Sequence, residues 1–175
     1  MQTQRNVQAM QWSDIRKLAE ERVSLKRIKT YPRMSEETIA MNCDVWFDGK
    51  LVGYAENHGT GGENALHPAS LQNITILDPF IEFIQSLPPV ADSPDDDFPS
   101  VRGYLDMDVD LFLSMWIGDH EEERDFKRIC KKKILMKMTD GNHYTVNRPY
   151  TPELAVMLRE REGAELVEII NERYL

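Results

Sequence analysis

Three stretches of this sequence combine residue types that do chemistry. The first is Asn57-His58-Gly59-Thr60-Gly61-Gly62-Glu63-Asn64-Ala65-Leu66-His67-Pro68, which places three of the chain's nine glycines within four positions. Glycine lets a backbone approach a ligand closely, and successive N–H groups around Gly59, Gly61 and Gly62 can form an anion nest. His58 and His67 would supply a proton carrier or a metal nitrogen, and Asn57 and Asn64 would supply hydrogen bonds. On this reading the loop holds a nucleotide or another small ligand, and the chain is a binding protein or an enzyme. The loop lacks both the Gly-Lys-Ser/Thr ending of a phosphate loop and the dinucleotide fingerprint. It reads equally as a hairpin-exit loop whose glycines only permit unusual φ angles.

The second stretch is Asp106-x-Asp108-x-Asp110. On a strand these carboxylates would share one side, as a divalent cation requires, and without a cation or a basic partner they would repel. The spacing is not that of a calcium loop, which needs a central glycine and a distal glutamate. A solvated polar face is the plainer reading, so we assign no metal and no cofactor.

The third is a segregation of charge. Leu87–Asp125 holds twelve acids and two bases, whereas Lys127–Lys137 holds six bases and no acid. Asp95, Asp96, Asp97, Asp106, Asp108, Asp110, Glu121, Glu122 and Glu123 would form an acidic surface able to dock on a basic groove of a partner protein. A solubilising face neutralised within the molecule is the alternative.

Nucleophilic catalysis finds little here, and no catalytic residue is assigned. Ser70, Ser86, Ser93, Ser100 and Ser114 lack a nucleophile-elbow context. Cys43 and Cys130 have no Cys-x-x-Cys partner, and we expect two reduced thiols.

These residues need elements to hold them. Asp48-Gly49 between Thr38–Phe47 and Lys50–Asn57 predicts a two-residue hairpin, because such a turn needs positive φ at both central positions. Asp140-Gly141 predicts a second hairpin between Lys132–Met138 and His143–Asn147. A helix is expected from the Ser13-Asp14 cap to about Tyr31-Pro32, on Ile15, Leu18, Ala19 and Val23. Another should run from Asp78-Pro79 to Ser86, and a third from Thr151-Pro152 to Arg161. Ala164–Tyr174 reads as a last amphipathic helix. Around Val101–Gly118 a short strand near Tyr104 followed by a helix through Trp116 is favoured, with a second helical start at Asp119–Lys127.

The 175 residues suit one domain, 1–175, carrying an acidic segment at 87–125. A net charge of −9 argues against a general nucleic-acid backbone binder. The polar N-terminus has no apolar signal core and no stretch is long enough to span a bilayer, so we expect a cytoplasmic protein with no membrane partner. The expected class is α+β, a mostly antiparallel sheet built from both hairpins and covered by N- and C-terminal helices.

Gly49-Lys50-Leu51-Val52-Gly53-Tyr54-Ala55-Glu56-Asn57-His58-Gly59-Thr60-Gly61-Gly62 resembles a segment of small uncharacterised accessory proteins of bacteriophages and plasmids. Pro149–Tyr174 is similar in character. The resemblance covers about a third of the chain and carries no catalytic residues. It implies a setting in which a small protein binds and inhibits a host protein, such as a defence-system component, in the bacterial cytoplasm.

Overall fold

The structure is a computed structural model and describes residues 8–70, 74–92 and 100–175. The class is α+β with mostly antiparallel pairing. The chain divides into two compact units, 1–118 and 119–175. The two hairpins do not share a sheet: each builds its own.

In the first unit, helix α1 (Trp12–Glu20) is followed by β1 (Val23–Thr30), β2 (Met41–Phe47), β3 (Lys50–Asn57) and β4 (Ala65–Pro68). The four strands lie in the order β1-β2-β3-β4, all antiparallel. Helix α2 (Ile74–Ser86), the short pair β5 (Val90–Ala91) and β6 (Tyr104–Leu105), and helix α3 (Val109–Cys130) follow. One face of the sheet is apolar. Met41, Cys43, Val45, Phe47, Val52 and Ala55 bury there with Ile15 and Ala19 of α1, Phe80 and Ile84 of α2, and Phe112 and Leu113 of α3. Alternation along β2 and β3 therefore sends Asn42, Asp44, Tyr54 and Glu56 to the opposite face.

The expected long first helix is corrected. It begins at Trp12 with Gln11 as its cap and ends at Glu20. The residues after it form β1, and a bulge explains why. Val23 and Leu25 pair with Phe47 and Val45, the register then shifts between Lys26 and Lys29, and Arg27 sits at φ 52°. Val23 stands four residues after Ala19 and so prolongs a helical stripe, while the extra residue breaks the two-residue period that would mark a strand. Ala65–Pro68, read as loop, is an edge strand, with Pro68 at its end where a missing donor is tolerated. Helix α2 starts four residues before Asp78 and carries Pro79 inside it. The two helical starts in the acidic region merge into the single 22-residue α3.

In the second unit, β7 (Ile134–Met138) lies between β8 (His143–Val146) and β9 (Leu166–Ile169). Helix α4 (Pro152–Glu162) is capped by Thr151, whose side chain accepts a hydrogen bond from the Leu154 N–H. Ile134, Met136, Ala155, Leu158 and Ile169 form its core. The last helix expected from Ala164 to Tyr174 is corrected: Leu166–Ile169 pairs with β7 instead, and a 3-10 helix, Ile170–Tyr174, closes the chain. Spacing at Leu166, Ile169 and Ile170 is helical, but the extra residue at the register shift opposite Lys137 and Met138 lets it serve a strand. Asn171, 4% exposed, staples this end. It accepts from the Leu135 N–H and donates to the Lys133 and Cys130 carbonyls.

Candidate functional site

The glycine loop joins β3 to β4, and its polar groups bind the loop to its own protein. Asn57, 7% exposed, is the hub. Its Oδ1 accepts from the Thr38 hydroxyl and the Gly59 N–H at 2.8 Å each, and its Nδ2 donates to the Gly62 carbonyl at 2.9 Å. The Gly61 N–H donates to the Thr38 hydroxyl. The Gly59 carbonyl accepts from the Glu36, Glu37 and Thr38 amides. Gly59 itself has φ 84°, and a β-carbon there would lie 2.2 Å from the Met34 carbonyl oxygen. Close packing therefore requires glycine at this position. The amides of Gly59 and Gly61 are engaged, so they form no open anion nest. His58 is exposed on the loop, and His67 lies on β4.

The acidic residues also have internal tasks. Asn64 donates from its N–H and Nδ2 to Asp110 Oδ1 at 2.7 and 2.6 Å, and Nδ2 also reaches the Ser114 hydroxyl, so loop and α3 are clamped together. Asp108 accepts from the Leu111 N–H at 2.8 Å, satisfying an orphan donor at the start of α3. Asp106 pairs with Arg102 at 3.0 Å. The three carboxylates thus share no strand: Asp106 flanks β6, Asp108 caps α3 and Asp110 lies in its first turn. Among the described residues no three His, Cys, Asp or Glu side chains converge as a metal site would need.

Farther along α3, Glu121 pairs with Arg124 and Glu123 with Lys127, while Glu122 is exposed. Where the acidic and basic runs meet on α3, Glu123 and Asp125 thus pair with Lys127 and Arg128 about one turn on. Asp95, Asp96 and Asp97 lie outside the described residues.

The sequence reading missed the polar face of the four-stranded sheet. A cavity of about 570 Å³ opens there, lined by Arg27, Lys29, Asn42, Tyr54, Glu56 and His67 among others. Cross-strand pairing sets the arrangement: Lys26 opposes Asp44, Asp44 opposes Tyr54, and Tyr54 opposes His67. One row over, Lys29, Asn42 and Glu56 follow in the same way. Asp44 is 6% exposed, and Arg27 Nε donates to its Oδ2 at 2.6 Å. A buried carboxylate needs such a partner, and the bulge is what aims Arg27 at it. His67 Nε2 lies 3.1 Å from Glu56 Oε1. Tyr54, 44% exposed, stands between these pairs with its ring open. Behind the cavity, burial pushes the Cys43 thiol up to about 12, so it remains a neutral core group. A signal was present: once the first hairpin is recognised, its alternation alone puts Asn42, Asp44, Tyr54 and Glu56 on one solvent face.

Among the described residues no helix is long and apolar enough to cross a membrane. No protein-family model matches the chain, and no curated protein or solved structure matches it either, so kinship lends no support to a bacteriophage setting, a host partner or an inhibitory role.

Proposed function

We propose that the protein binds a ligand in the groove on the open face of its four-stranded sheet, and that the ligand combines a planar ring with an anionic group, as a nucleotide does. The observation that carries this reading is the exposed Tyr54 ring, flanked on β1 by Arg27 and Lys29 and on β4 by His67. An aromatic ring accepts a heterocycle by stacking, and the cations meet the anion. His67 and Glu56 at the far rim supply hydrogen bonds to ring edges. The reading keeps His67 from the glycine-loop expectation and reassigns the loop to scaffolding. It is a binding reading, not a catalytic one.

The experiment is a titration of isotope-labelled protein with a uridine or adenosine monophosphate, followed by amide NMR shifts. Shifts confined to Lys29, Asn42, Tyr54, Glu56 and His67, and lost in Tyr54→Ala, are expected. Shifts centred on Gly59–Asn64, or none at millimolar nucleotide, would overturn the proposal.

A second reading, an acidic surface docking on a basic protein, rests on charge asymmetry. Residues 1–118 contain ten Lys/Arg and eighteen Asp/Glu, whereas 119–175 contain eleven and twelve. Such a field steers association even where individual carboxylates are paired. Among the described residues Asp106 and Asp108 are exposed in the first unit and Glu122 in the second.

A further inference from the structure

Building on the groove reading, we infer that the natural occupant is a single strand of nucleic acid rather than a free mononucleotide. The cations are laid out along a strand and do not converge on a point. Lys26 and Lys29 are exposed on one face of β1, with Arg27 in the bulge between them. At about 3.3 Å per residue this column is roughly 10 Å long. A lone phosphate is usually held by converging donors or by an amide nest, and the neighbouring loop's Gly59 and Gly61 amides are already bonded within the protein. A polynucleotide backbone instead presents its phosphates in a line.

Rings recur along the same face. Tyr54 is 44% exposed in the groove and Tyr31, just past β1, is 38% exposed. The Tyr31 hydroxyl accepts from Asn42 Nδ2 at 2.9 Å, which tethers the ring to this face. Two open rings beside a cationic column match the way single strands are held without sequence preference, since every base has a π-face. Of the acids nearby, Asp44 is neutralised by Arg27, which removes the charge that would most directly repel a polyanion. The chain's net charge of −9 is carried mainly elsewhere, in 87–125.

The test is fluorescence anisotropy of the full chain with a labelled single strand of about twelve nucleotides, against an abasic strand of equal length, the corresponding duplex, and uridine monophosphate. Single strands should bind at least about tenfold more tightly than each comparator. Between about 50 and 200 mM salt, log K should fall against log salt with a slope near −1.4, as two phosphate contacts, from Lys26 and Lys29, require. Lys29→Ala should reduce that slope by about 0.7, and Tyr54→Ala should weaken binding roughly 5- to 150-fold with the slope unchanged. Equal binding of the abasic strand or the duplex, or an unaffected Tyr54→Ala variant, would overturn the inference. Monophosphate binding as tight as the strand would overturn it and leave the groove reading standing. Silence from every probe would overturn both.

Discussion

The two Asp-Gly hairpins share a turn dipeptide and come to different ends. At the first, Asp48 and Gly49 both have positive φ, 48° and 74°, and Phe47 pairs directly with Lys50. At the second only Gly141 does, at 83°. There the Gly141 N–H donates to the Met138 carbonyl and the Met138 N–H to the Asn142 carbonyl, so the loop is Thr139-Asp140-Gly141 and closes on a bulge. The first hairpin is flanked by β1 and β4 and is the centre of its sheet, whereas β8 is a terminal strand. The carboxylates differ as well. Asp48 is held by Arg22, 26 residues away, and Asp140 by Asn142 and Tyr144 next to it. The dipeptide dictates that the chain reverses. Neighbouring strands decide how deep the reversal is buried and which turn geometry is used.

The largest effect that would break this comparison lies in depth. Phe47 is 4% exposed and packs its ring against Phe80 and Phe83 at 5.8 and 5.3 Å. Phe47→Ala should cost about 3–5 kcal/mol in urea unfolding of its unit. Tyr144, 49% exposed on the second hairpin, should cost less than about 1 kcal/mol when changed to Ala. Equal losses would show that the second hairpin is as deeply integrated as the first.

Next come the glycines. Gly49→Ala and Gly141→Ala each force a β-carbon into the left-handed region, at about 1–2 kcal/mol. Their effects should be local to each unit. Hydrogen exchange should accelerate over 41–57 in the first variant and over 134–146 in the second. Acceleration of both segments in either variant would mean that the units open together.

The smallest effects concern acid. The Arg22 guanidinium holds the Asp48 carboxyl below the usual range, and hydrogen bonds from Asn142 first, then Tyr144, do the same for Asp140. A carboxyl lowered in the folded state contributes stability that is present above its unfolded value and is lost as pH falls through its folded one. In carboxyl NMR titrations, Arg22→Gln should return Asp48 to the ordinary range. Tyr144→Phe should move Asp140 only part of the way, because the Asn142 donors remain. Full return of Asp140 in Tyr144→Phe would show that the turn depends on the tyrosine rather than on its own asparagine.

Much of this was readable from the chain. Both hairpins, the Thr151 cap and the strand-then-helix order around Tyr104 follow from local chemistry that acts over a few residues. What stayed hidden depends on distant partners. β1 and β9 are disguised by their shifted registers, and β4 by its shortness and its Gly-rich approach. At the glycine loop the polar residues picked out by composition hold the loop to the protein. Asn57 and Asn64 are indeed hubs, but their partners are Thr38, Gly62 and Asp110, which no spacing rule connects. The groove was missed because its residues come from four strands and make no run in sequence.

The bulge at Arg27 has a consequence for how the protein behaves in company. β1 ends its sheet, and a flat terminal strand is a template on which another chain can pair. The shifted register between Lys26 and Lys29 breaks that ladder midway, and the charges beside it deter an incoming strand. The same kink that aims a guanidinium at Asp44 therefore guards against aggregation. A chain lacking one residue here would gain a straight edge and, with it, a tendency to form fibres.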